Sequence, residues 1–222
     1  PGLSRQLFEA SLAALEMLDA TGDPSKAGVK RDPKKEPTGE LYALRLLLDQ
    51  NAAPEVRTFA LKAIRPDCPE LTTQTLTTLA GQAAPSLLKE IVRTLRERPD
   101  AEAKKFIRDV VADERHSVAE RAEAIAALAP DDAADRKLLE KTAIAGDGLP
   151  AVEAERLLRR ALAAESLRAD QISAGGDPAA GERLFFHPRV ASCYRCHEYE
   201  GRGASVGPAL TTFGRGASRE RI

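Results

Sequence analysis

The chain has 222 residues, 43% of them apolar, and 33 basic against 34 acidic side chains give a formal net charge of −1. That supplies a packed core for one or two domains. The balanced charge excludes the cationic surface that nucleic-acid binding needs, three cysteines cannot make a disulfide scaffold, and no apolar run approaches the ~20 residues of a membrane-spanning helix.

In chain order, Leu7, Leu12, Leu15 and Leu18 recur at helical spacing, and Leu41, Leu44, Leu47 and Leu48 repeat the pattern. The stretch between them, 21–39, carries Pro24, Pro33, Pro37 and four lysines without apolar periodicity, which predicts a long exposed loop. Pro54 to Ile64 then predicts an amphipathic helix with proline in its first turn. Its spacing returns over Pro85–Leu95, Arg121–Leu128 and Glu155–Leu162, with Arg121, Ala124, Ala127 and Leu128 falling on Arg57, Ala60, Ala63 and Ile64. The closing residues Ile64, Leu95, Leu128 and Leu162 lie 31, 33 and 34 positions apart. Second helices are expected over 70–82, 100–112 and 131–146. Helix pairs at this period predict an all-α fold, an α-solenoid over residues 1–165, with an irregular bundle as the alternative. The trailing Ala-x-x-Ala-Leu/Ile pattern resembles HEAT-like repeats. No catalytic cluster stands out in this part, which predicts a scaffold that docks something. His116, beside a helix start at Ser117, is expected at the surface, and Cys68, between Asp67 and Pro69, as a small semi-buried side chain.

All ten lysines lie at or before Lys141, whereas eight of the fifteen glycines fall in the last 52 residues. The shift places a linker over 166–176 and a second unit over 177–222. That unit holds Cys193-Tyr194-Arg195-Cys196-His197. Two thiols three positions apart suit thioether bonds to the two vinyl groups of a haem, with the adjacent histidine directed at the iron. A thioredoxin-like redox pair would expect a βαβ context, which the sequence lacks. A zinc site using Cys193, Cys196, His197 and His187 is the other alternative, and a purely structural cysteine pair the blandest.

The flanks extend the motif. Asp177-Pro178 opens a capped helix running into Leu184-Phe185-Phe186-His187-Pro188, and the motif is followed by Gly201-Arg202-Gly203, Gly207-Pro208-Ala209-Leu210 and Gly214-Arg215-Gly216. This order resembles class I cytochromes c, and with the preceding repeats it resembles the planctomycete/verrucomicrobial-type haem-binding domain. The resemblance implies one haem c held through Cys193 and Cys196, with His197 as the proximal iron ligand. It implies further that the Pro208 carbonyl accepts the other ring N–H of His197, that Leu210 packs on the haem face and that Arg215 pairs with a propionate.

Such domains take a distal methionine and a closing helix, yet Met17 is the single methionine and the sequence stops at Ile222. The chain is therefore expected to be a fragment of a longer protein. A downstream methionine would make the site an electron carrier, whereas an open iron would bind peroxide or small ligands. His187 is a third possible ligand, although its place beside Pro188 predicts a surface turn. The leading expectation is electron transfer by a module of a periplasmic dehydrogenase-type protein, acting with a redox partner. The alternatives are a peroxidase-like haem and a zinc-bearing interaction scaffold.

Overall fold

The computed structural model describes residues 8–15, 39–146, 148–162, 177–187 and 191–213, with side chains omitted over 160–162. Among these the fold is predominantly helical. Helix α1 covers 8–15. It is followed by α2 (Glu40–Leu48), α3 (Pro54–Ala63), α4 (Thr73–Ala80), α5 (Pro85–Arg96) and α6 (Ala101–Ala112). Then come α7 (Val118–Ala127), α8 (Ala133–Ile144), α9 (Leu149–Leu162) and α10 (Pro178–Phe185). A 3₁₀ turn (Cys193–Arg195) and a two-stranded antiparallel ribbon, β1 (Glu198–Tyr199) with β2 (Arg202–Gly203), complete the described elements.

The helices start where local chemistry provides for their orphan amides. Prolines open α3, α5 and α10, where a missing N–H costs nothing. Asp100 accepts from the Ala103 amide at 2.8 Å, and Ser117 and Glu120 form a reciprocal capping box at the start of α7. These caps correct several expected boundaries. Thr72 caps α4, which begins at Thr73, three residues beyond the expected start, and Asp132 caps α8, which begins at Ala133, two residues beyond it, while α7 begins at Val118 directly after the expected start at Ser117. Helix α9 reaches back to Leu149, because Pro150 fits its first turn. The loop expected over 21–39, apart from Gly39, and the linker over 166–176 lie outside the described residues.

Packing follows the period of the sequence. Helix α3 packs on α5, α5 on α7 and α7 on α9, while α4 packs on α6 in a second row. Ala60, Ala124 and Ala154 are fully buried, and their small side chains let neighbouring backbones approach. Leu61, Ile91, Leu95 and Ile125 fill the seam between the rows. The equivalence inferred for Arg57 and Arg121 has a physical counterpart. Arg57 Nε donates to the Leu47 carbonyl at 2.9 Å, and Arg121 Nε donates to the Val111 carbonyl at 3.0 Å. The second row is tied through its caps: Thr73 Oγ1 donates to Asp100 at 2.9 Å, and Arg108 Nη2 donates to Asp132 at 3.0 Å. Among the described residues no helix is long and apolar enough to cross a membrane.

Helix α10 rests on α7, and this contact begins the seat of the C-terminal unit. The first row thus serves as a platform.

Candidate functional site

The Cys-x-x-Cys-His segment is a tight turn. Ser192 adopts the left-handed conformation, with φ of 54°, and its amide donates to the His187 carbonyl at 2.9 Å. The amides of Cys196 and His197 both donate to the Cys193 carbonyl, at 3.1 and 2.9 Å. Cys193 is half-buried and Cys196 exposed, and both thiols are free. After the turn the chain doubles back through the ribbon, whose connecting residues Glu200 and Gly201 have φ of 49° and 80°. Three long-reach backbone bonds then lock the following segment to the motif. Ala204 N donates to Tyr194 O at 2.8 Å, Gly207 N to Cys196 O at 2.6 Å and Leu210 N to Glu198 O at 2.8 Å.

The lock brings Pro208 to His197. His197 Nδ1 lies 2.9 Å from the Pro208 carbonyl oxygen. A carbonyl only accepts, so Nδ1 carries the proton and Nε2 keeps its lone pair. Gly207 lies against the ring, where an added β-carbon would stand 2.5 Å from Cε1 and 2.7 Å from Nδ1. At Gly203, with φ of 114°, a β-carbon would come within 2.2 Å of the His197 carbonyl oxygen. Gly207 is therefore required by the imidazole, and Gly203 both by the His197 backbone and by its own positive φ.

The other sequence-derived positions have mixed fates. Leu210 is half-buried beside the ribbon, and Arg215 and Met17 lie outside the described residues. His187 is not on a surface turn, because its side chain is 2% exposed. It lines a small cavity with Leu95, Arg96, Ile107 and Leu128 of the helical platform. Among the described residues no three His, Cys, Asp or Glu side chains converge to hold a metal ion, so the four-ligand zinc arrangement with His187 is not assembled. His116 is partly exposed, 3.8 Å from Glu120, and Cys68 is buried with Sγ donating to Glu70, both structural positions.

No protein-family model, curated protein or solved structure matches this chain.

The donor set fits covalent haem. That group asks for two unpaired thiols on one turn and one imidazole nitrogen available to iron, not for ligands converging on a point. Cys193, Cys196 and His197 meet this demand, and the carbonyl behind His197 fixes the reactive tautomer.

Sequence inspection missed the residues that seat this unit. Phe186 is 1% exposed, edge-on to Phe185 at 4.9 Å and covered by the Arg93 guanidinium at 4.2 Å. Arg93 also reaches Glu123 at 2.7 Å and Glu182 at 3.0 Å, with Glu90 at 3.3 Å. Arg202, on the ribbon, bonds Glu90 at 3.3 Å and Glu97 at 3.1 Å, while Arg183 bonds Glu153 at 3.0 Å. Lys62 donates to the Glu200 carbonyl at 2.7 Å, and the Phe59 ring crowds Gly201, where an added β-carbon would stand 3.1 Å from Cε2. Burial works against the Arg93 charge, but Glu123 and Glu90 outweigh it and hold the guanidinium above its ordinary value. The available signal was Glu90 and Arg93 placed within the apolar stripe of α5, where charges need partners.

Proposed function

We propose that this chain carries one covalent haem c and transfers electrons, with the helical rows acting as a HEAT-like solenoid and residues 177–222 as a class I cytochrome-like unit of the planctomycete/verrucomicrobial type. The observation that supports this reading best is the His197 Nδ1 contact to the Pro208 carbonyl, which presents Nε2 as a ligand beside two free thiols. Cys193 and Cys196 would be the thioether anchors, and His197 the axial ligand. When bound, haem c supplies a one-electron iron couple. The chain's own work is to orient the imidazole, raise its basicity through the carbonyl and hold the unit rigidly on its platform. The reading extends to a periplasmic setting, where haem attachment takes place, to a redox partner protein and to a dehydrogenase-type parent.

Secretion to a bacterial periplasm with the haem-attachment machinery tests it. The expected product has a Soret band that survives acid–acetone extraction and an intact mass raised by one haem, both lost in Cys193→Ser/Cys196→Ser. A colourless protein of unmodified mass overturns the proposal. Carbon monoxide binding to the loaded chain would replace electron carriage by an open, ligand-binding haem.

A further inference from the structure

The arginines around the platform divide into two groups. Arg93, Arg183 and Arg202 each meet a carboxylate at 3.3 Å or less. Arg96 and Arg98, at the C-terminal end of α5, have no ion-pair partner among the described residues. Nε and Nη2 of Arg96 and Nε of Arg98 are buried without a hydrogen-bond acceptor among the described residues. Arg98 Nη2 does donate to the Leu71 carbonyl, a neutral group. The Arg96 guanidinium lies 5.8 Å from the ring centroid of Tyr194, itself a residue of the Cys193–Arg195 turn. Burial, together with the neighbouring Arg202, pushes the Arg96 guanidinium down to about 10, because nearby Glu123 and Glu97 offset only part of the cost.

Both arginines line one cavity of about 70 Å³, together with Lys104, Asp135, His187 and an apolar floor that includes Ile107. Asp135 does not serve Arg96 or Arg98, for it is held by Arg108 and by the Ala129 amide at 2.9 Å. The space equals roughly two waters at ~30 Å³ each, the size of one small oxyanion. Three buried guanidinium nitrogens without an acceptor among the described residues are costly, and an oxyanion accepts from several N–H groups at once. The cavity wall contains none of Cys193, Cys196 and His197, which separates it from the haem position.

We infer that this cavity, between the end of α5, α6, the α7–α8 connection and His187, is a binding site for a free tetrahedral oxyanion of the phosphate or sulfate class. The inference does not depend on the haem reading. It is tested on the full chain by thermal unfolding in inorganic phosphate against chloride of equal ionic strength. At about five times the dissociation constant the midpoint should rise saturably by about 2–4 °C, and the rise should be absent in Arg96→Met. Salting-out by phosphate gives a non-saturating rise common to both proteins, and that result overturns the site. Should Arg96→Met fail to fold, Lys104→Met on the exposed rim carries the test: a weakened response supports the site, and an unchanged one overturns it. Broadening of the phosphate ³¹P resonance by the wild-type chain but not by the variant is the second readout.

Discussion

At Gly207 the packing leaves room for a hydrogen and nothing larger, since a β-carbon would stand 2.5 Å from Cε1 of His197. Gly207→Ala should therefore rotate the ring away from the Pro208 carbonyl or push the backbone aside, at an overpacking cost of about 1–3 kcal/mol. Chemical denaturation measures the loss, and the Nδ1 proton resonance of His197 should vanish or move. A variant with unchanged stability and an unchanged imidazole spectrum would refute the cradle. The three motif residues were legible in the sequence because their spacing is local and nearly sufficient for the turn. Pro208 was legible only through resemblance, since its carbonyl reaches His197 through a reversal fixed by the Gly207 and Leu210 amides. His187 was misplaced for the opposite reason: the chain beside it suggests a turn, but residues of α5 and α6 cover it.

Among elements, α5 packs against α3, α4, α6 and α7 and also carries the ion pairs to the C-terminal residues. Its outer residues pack as the apolar period predicts, yet Glu90 and Arg93 sit within that stripe at 0% and 2% exposure. Arg93→Met would leave Glu123 without its guanidinium partner and Glu90 with Arg202 alone, and breaking a buried pair of this kind costs about 3–5 kcal/mol. Urea unfolding should show that loss, and Glu123→Leu added to Arg93→Met should return part of it. If the single variant is as stable as the parent, the network contributes nothing to the seat. Helix existence and pairing were legible here because Pro, Asp and Ser mark starts and alanines mark close approach. The α9 start was missed because Pro150 reads as a breaker in a sequence but suits a first turn.

For the molecule as a whole, the seat is an ionic one and should respond to acid. Burial by itself would raise the Glu182 carboxyl, but Arg93 and Lys89 outweigh it and hold the group below its ordinary value of 4.5. A depressed carboxylate contributes its stability above the unfolded value and loses it as pH falls through the folded one. The seat should accordingly be pH-independent near neutrality and weaken progressively below about 4.5. Hydrogen exchange at the ribbon amides should accelerate over that window, and Glu182→Gln should flatten the dependence. The shift in composition along the chain does not reveal the ion pairs that join its last part to the helices, because they link residues as far apart as Arg202 and Glu90, 112 positions along the chain. The same junction has a geometric consequence. Arg202 is anchored on α5, Glu182 is held by Arg93, and Arg183 reaches Glu153 on α9. Inserting or removing one helix pair between α5 and α9 would carry Glu153 beyond the grasp of Arg183 while leaving the other anchors untouched, so the C-terminal unit works as a caliper set to the length of the array beneath it.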